Sequence, residues 1–428
     1  MKRGSLTITL ALLLASAAGC SRPEERKAAT AQTGAAQTAA GDAAVKADGL
    51  RPVRISAEGV SAAEPTLAAG SDGSAYVAWV EHQKGGGGEL RLTRLDAEGA
   101  PAGEAARVNP EPGVAKAWRG DAPTVAVAPD GAVYVGWTAR VEGSPHATAL
   151  YLSVSHDGGR SFGAPVRVDD DTRPNEHGMH SLAVGRDGRV YVAWLDGRGT
   201  PPAMTMGAEA HSKGMAEPNR EVYFAYSADG GRTFSRNRRV ATEACPCCKT
   251  SLAVGEGGRV YLGWRQVLPG ELRHIAVASS ADGGETFSDP TVVSDDRWEI
   301  NACPVSGPAL AASGDAGLRV LWYTEGQAGP AGLYTSESQD GGRTFTPRRA
   351  VAEGGVRGTP QLLPDGRGGL VAVYDDGAVK EARLDGAGGT AVAPAPIVVG
   401  EAPTAALRGG QLYATYISDG SIWLVRAG

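Results

Sequence analysis

Four copies of one short phrase recur in the chain: Ser155-His-Asp157-Gly-Gly-Arg-Ser161-Phe162, Ser227-Ala-Asp229-Gly-Gly-Arg-Thr233-Phe234, Ser280-Ala-Asp282-Gly-Gly-Glu-Thr286-Phe287 and Ser338-Gln-Asp340-Gly-Gly-Arg-Thr344-Phe345. An internal repeat at this spacing means copies of one supersecondary unit packed side by side. A second repeat runs through the whole body, a strand that alternates and closes on an aromatic: Ala75–Trp79, Val133–Trp137, Val190–Trp194, Val260–Trp264, Leu318–Trp322, Leu370–Tyr374 and Leu412–Tyr416. β-Branched and aromatic residues at period two, with no helical period, make the body all-β. Each closer is followed by a third strand and then a fourth, such as Pro165–Val168 or Pro290–Val293. The last unit, Ala402 to Gly428, stops after its third strand, and Pro52–Ser56 reads like the missing fourth. Pairing the two ends would close the set and hide two exposed sheet edges.

The repeated phrase resembles the Asp box of sialidases and their relatives, Ser-x-Asp-x-Gly-x-Thr-Phe/Trp, which lies on a β-hairpin turn of each propeller blade. With seven closers, the resemblance implies a seven-bladed β-propeller over residues 51–428. Six blades, as in the sialidases, is the alternative if the weak sixth and seventh units merge. The boxes themselves are structural: Ser and Asp side chains tie the turn, glycines take positive φ and the Phe packs beneath. Strand alternation sends these turns to one face. The links between strands two and three, and between units, go to the opposite face, where the chemically richer loops lie.

Ahead of the body, Lys2 and Arg3 precede an apolar run from Leu6 to Ala18, too short to span a bilayer and read as a signal-peptide core. It ends Ala17-Ala18-Gly19-Cys20, which resembles a bacterial lipobox with Cys20 as the lipidated residue; Ser21 after it resembles the outer-membrane pattern. Residues 21–50 are Ala, Gln, Glu, Lys and Gly, a composition that cannot offset its ordering entropy and is expected to be a flexible tether. The expected location is therefore the bacterial cell envelope, with the membrane as partner through a lipid anchor. Forty-two basic against 48 acidic residues give a net charge of −6, which argues against a nucleic-acid partner. The sequence names no cofactor and no protein partner.

Two groups of residues carry candidate chemistry on the loop-rich face. Arg119, Arg198, Arg265 and Arg357 are the first. Sialidases use three arginines from different blades to clamp a carboxylate, and a planar guanidinium suits that task. Those enzymes pair a tyrosine nucleophile with a glutamate and use an aspartic acid for proton transfer. On this resemblance Tyr323 with Glu325, and Asp121 or Asp196, take those roles in an exo-α-sialidase-like glycoside hydrolase. The aromatic-Arg-Ile-Pro signature before the first box is absent; Trp118-Arg119-Gly120 is its nearest counterpart.

The second group is soft. His177-Gly-Met179-His180 opens unit three, whose insertion adds Met204, Met206, His211 and Met215; Cys245-Pro-Cys247-Cys248 opens unit four and Cys303 opens unit five. Thiolate, thioether and imidazole suit Cu(I), and thiolate with imidazole suits Zn(II). Setting Cys20 aside leaves four cysteines, an even number that fits disulfides outside the cytoplasm, and a link from Cys303 to the Cys245 group would staple adjacent units. Two functions stay open on this evidence. One is an envelope protein that binds, or hydrolyses, acidic glycans on the face opposite the Asp boxes. The other is a non-enzymatic scaffold or a copper- or zinc-binding protein that uses the Cys/His/Met loops.

Overall fold

A computed structural model describes residues 51–428 except 85, 118, 119, 145, 201–216, 387–389 and 428. Cys20 and the tether, Arg119, Met204, Met206, His211 and Met215 lie outside the described residues. Within those residues every regular element is a strand, and no helix is long and apolar enough to cross a membrane.

The strands form antiparallel meanders of four. Unit three shows the pattern: His177–Val184, Val190–Asp196, Arg220–Ser227 and Arg238–Ala244 pair in chain order. The first strands of the successive units are Ser61–Ala69, Thr124–Val127, His177–Val184, Ser251–Val254, Ala309–Ser313, Arg357–Pro364 and Glu401–Arg408. Each lies beside the first strands of its neighbours, and Glu401–Arg408 lies beside Ser61–Ala69. Units three and four are joined into one larger sheet where Ala244 pairs with Gln266. The last two units stay in separate sheets and do not merge. The expected end pairing is present: Val53 pairs with Leu424 and Arg54 with Trp423, so Val53–Arg54 is the fourth strand of the last sheet.

The core is a series of apolar layers, one between each unit and the next. Tyr76, Leu90 and Leu92 of unit one pack on Val133, Val135 and Trp137 of unit two, and Tyr191, Val222 and Phe224 of unit three pack on Leu262 and Trp264 of unit four. Another layer joins Ile55, Val77 and Trp79 to Tyr413, Ile422 and Leu424 across the two ends of the chain. The closing aromatics Trp79, Trp194, Trp264 and Trp322 are wholly buried. Each such side chain contributes about 1.5–3 kcal/mol. Their indole N–H groups are satisfied as burial demands, Trp194 on Asp196 Oδ2 at 2.8 Å and Trp322 on Asp296 Oδ2 at 2.7 Å.

The repeated phrases are the tight turns between third and fourth strands, and they are built alike. In the second, Ser227 Oγ accepts from Gly231 N–H at 2.8 Å and donates to Asp229 Oδ1, which also accepts Thr233 N–H at 2.9 Å; Thr233 Oγ1 donates to Asp229 Oδ2. Gly231 has φ +82°, and a Cβ there would lie 2.8 Å from Leu152, so glycine is required twice over. Phe234 packs into the layer shared with unit two. These turns therefore lock one unit onto the preceding one.

Candidate functional site

The first strands begin at the end of the molecule opposite the repeated turns, and the starts of six of them, all but that of unit three, surround a cavity of about 460 Å³. Its wall is largely small and apolar, with Pro65, Pro123, Pro308, Pro360 and Pro403 contributed by five different units. Backbone bulges accompany these starts, with register shifts between Ala63 and Thr66, Arg357 and Gln361, and Glu401 and Thr404. A bulge re-aims side chains at a strand end, here the rim of the cavity. Among the described residues four charged ones line it: Glu64, Lys249, Arg357 and Glu401.

Lys249 Nζ donates to the Ala122 carbonyl at 2.6 Å. Burial lowers its pKa to about 8, against the opposing pull of Asp121. Glu64 is paired with His82 at 2.7 Å, yet burial dominates and holds its carboxyl above the usual range. Asp121 sits just behind this wall. Its Oδ1 accepts Met179 N–H at 2.6 Å and lies 3.2 Å from His180 Nδ1. Burial works against the Asp121 charge, but the His180 hydrogen bond, Lys249 and the Met179 amide outweigh it, and its pKa is lowered. Sequence reasoning missed Lys249 and Glu64. The available signal was position: Lys249 follows the cysteine cluster at the start of a first strand, as Glu64 precedes Pro65 in another.

The proposed soft-ligand set divides into three places. Met179 is core, packed in the layer between units three and four. His180 belongs to Asp121. His177 is enclosed by carboxylates: its Nδ1 lies 2.6 Å from the Thr148 carbonyl, and its Nε2 is 3.8 Å from Asp169, 3.7 Å from Asp171 and 3.6 Å from Asp196. Those separations are too long for hydrogen bonds, and Nε2 has no hydrogen-bond partner. They do fit atoms sharing one small cation at about 2.1 Å each. Asp171, His177 and Asp196 are thus a group able to hold a divalent ion, though Asp196 already accepts from Arg198 and Asp171 from Asn175. The run Asp169-Asp170-Asp171 was the overlooked sequence signal.

The cysteines form a separate cluster. Cys247 and Cys303 are joined as a disulfide, the staple expected between the segments leading into units four and five. Cys247 and Cys303 are therefore bridge partners and not free metal ligands. Cys245 and Cys248 are buried free thiols with sulfurs 2.6 Å apart.

Among the described residues the arginines do not assemble as a clamp. Arg265 is wholly buried and donates to the carbonyls of Ser306 and Tyr323, both at 2.8 Å, so it braces the wall and offers nothing to a ligand. Arg198 is held by Asp196, Asp170 and Asn237 and stacks 4.2 Å over Tyr223. Arg357 alone of the described three is exposed and lines the cavity. Tyr323 and Glu325 do meet: the phenol donates to Glu325 Oε1 at 2.5 Å. Burial first, then that carboxylate, raises the Tyr323 pKa, the opposite of what an ionised nucleophile needs. Neither residue lines the cavity, and Asp121 lies in a different unit.

Neither a protein-family model nor a curated protein matches the chain. Solved structures do. An ulvan lyase, described as a new family of polysaccharide lyase, is 13% identical, with TM-score 0.51 over 75% of this chain and 78% of that one. A puromycin hydrolase variant is 15% identical, with TM-score 0.51 over 83% of this chain and 50% of that one. A Hadza microbial sialidase is 16% identical, with TM-score 0.48 over 79% and 73%. At such identities the likeness is one of fold, and these proteins differ in the chemistry they perform. The chain shares its fold of successive antiparallel β-sheets with the ulvan lyase and the puromycin hydrolase.

Proposed function

We propose that the chain is a seven-bladed propeller of the bacterial cell envelope, anchored by lipid on Cys20, that binds acidic saccharides in its central cavity opposite the repeated turns. The observation that carries this reading is the cavity itself: two cations, Lys249 and Arg357, set in a wall of prolines and small residues, with the two acidic residues there being Glu64, which is paired with His82, and Glu401. Sugar rings present apolar faces and hydroxyls, and an acidic sugar adds a carboxylate that an ammonium and a guanidinium recognise. The cycle of neighbouring first strands supports the blade count, and the similarity in fold to polysaccharide lyases supports the glycan class. Binding is favoured over hydrolysis. Among the described residues, Arg265 is spent on backbone carbonyls and neither Tyr323 nor Glu325 lines the cavity, so no sialidase-like set is gathered there.

The test is calorimetry of the purified chain with uronate- and sialate-bearing oligosaccharides beside their neutral, carboxyl-reduced forms. Binding of the acidic set alone, abolished in a Lys249→Met/Arg357→Met variant, is the expected result. Equal affinity for the neutral forms, or turnover of a fluorogenic sialoside, overturns it.

A further inference from the structure

We propose that the four cysteines form an internal thiol–disulfide relay, in which the buried pair Cys245 and Cys248 exchanges with the Cys247–Cys303 bond and exposed Cys303 is its port to solvent.

Three observations place the parts. Cys245 Sγ is 2.6 Å from Cys248 Sγ and 3.8 Å from Cys247 Sγ, so one sulfur stands between a thiol and a disulfide sulfur. Cys245, Cys247 and Cys248 are shut away from water, whereas Cys303 is exposed. The third observation is a charge without a counter-charge. Arg265 is at 0% exposure, its Nη1 has no partner, and among the described residues no carboxylate lies within ion-pair distance of it. Its other contacts are two neutral carbonyls and the face of Trp298 at 4.7 Å.

A buried guanidinium left unpaired is costly, and the group beside it able to become an anion is a thiol. Cys245 pairs its backbone with Arg265, Cys245 N–H donating to the Arg265 carbonyl at 2.9 Å. Burial opposes the Cys245 thiolate, but the Cys248 S–H, Arg265 and Arg273 lower its pKa, while Cys248 is pushed up. Cys245 is thereby the nucleophile and Cys248 the proton-bearing partner.

The exchange balances without an outside oxidant. The Cys245 thiolate attacks Cys247 Sγ; a Cys245–Cys247 bond forms, the Cys247–Cys303 bond breaks, and the electron pair leaves on Cys303, which takes a proton from solvent. Cys248 then attacks Cys245 Sγ, forming the Cys245–Cys248 bond and expelling Cys247, which receives the Cys248 proton. One disulfide is present at the start and one at the end, and the oxidising equivalent has moved from a solvent-exposed end to a buried one. An external thiol can meet the relay only at Cys303.

Disulfide mapping tests the relay. The full chain is equilibrated in buffers of reduced and oxidised glutathione, quenched in acid, alkylated, and its disulfide-linked peptides are identified by mass spectrometry. Two interconverting single-disulfide forms are expected, Cys247–Cys303 and Cys245–Cys248, with Cys303 alkylated whenever the second is present. Arg265→Met should slow the interconversion about tenfold by removing the thiolate's counter-charge. Cys245→Ser should stop it. If either variant fails to fold by circular dichroism, mapping of the unmodified chain still decides. A Cys247–Cys303 bond that never exchanges in any buffer overturns the relay, and so does a stoichiometric copper or zinc ion held by Cys245 and Cys248.

Discussion

Val53 lies directly opposite Leu424, so the first described strand of the chain completes the last sheet. Ile55 N–H donates to the Ile422 carbonyl at 2.8 Å, and Ser56 Oγ accepts Ile422 N–H at 3.0 Å. Ile55 is also buried in the layer that joins the two ends. Deleting residues 51–56 leaves Ser421–Ala427 as an open edge and uncovers that layer. Burial of Ile55 alone is worth about 1.5–3 kcal/mol. The truncated chain should unfold at a clearly lower temperature and aggregate through the free edge. Calorimetry with light scattering checks this; an unchanged melting temperature would mean that the closure is decorative.

The turn aspartates make stability depend on pH with a defined sign. Asp229 is held well below the usual carboxylate range, first by the Thr233 hydroxyl and amide. A carboxyl whose folded pKa is depressed stabilises the fold above its unfolded pKa of about 3.9, and that contribution is lost as pH falls. Asp157, Asp282 and Asp340 repeat the effect. Asp229→Asn keeps the oxygen that caps the backbone but not the charge. The variant should therefore melt below the wild type at pH 7, with the gap narrowing by pH 3. Melting curves at the two pH values read this directly; a gap that does not change with pH rejects the charge as its cause.

The fold was legible because its signals are local and repeated. A Gly-Gly turn tied by Ser, Asp and Thr needs only eight consecutive residues, and a strand that ends on Trp states its own burial. The end pairing was readable too, since a unit short of one strand leaves a countable gap. The site was less legible because its partners are set by which strand starts face one another. Residues Arg198 and Arg265 looked like ligand-binding arginines in the sequence, yet each is consumed by neighbours supplied from other segments: Asp170 and Asn237 for one, the carbonyls of Ser306 and Tyr323 for the other. His177 and His180 stand three positions apart, but His177 is tied to the Thr148 carbonyl with Asp171 and Asp196 beyond hydrogen-bond reach, while His180 meets Asp121.

Those placements separate two arginines that the sequence grouped together. Arg198→Gln removes a half-buried guanidinium bonded to Asp196 and Asp170 and stacked on Tyr223. It leaves Asp196 buried with its main counter-charge gone, and should cost about 2 kcal/mol of stability. Arg357→Gln touches an exposed residue on the cavity wall and should leave stability within about 0.5 kcal/mol while weakening acidic-saccharide binding. Urea unfolding of both variants distinguishes brace from ligand contact. The reverse order of destabilisation would restore Arg198 to the binding surface.

Lys249 gives the cavity a pH dependence that Arg357 does not share. With its pKa lowered to about 8, the ammonium is present at pH 6.5 and largely gone at pH 9.5. A carboxylated oligosaccharide should therefore bind several-fold more weakly at the higher pH, with a midpoint near 8. Folding responds with the opposite sign. Between about pH 8 and the unfolded lysine's pKa of about 10.4 the unfolded chain holds the extra proton, so this residue makes stability rise with pH across that window. Lys249→Met should flatten both curves, binding weakly at all pH values and losing the pH-dependent part of the stability. Arg357→Gln should weaken binding but keep the midpoint. Calorimetric titrations of the three proteins over that range, with melting curves in the same buffers, tell the cases apart: a midpoint that survives Lys249→Met would assign the titrating charge to another group on the cavity wall.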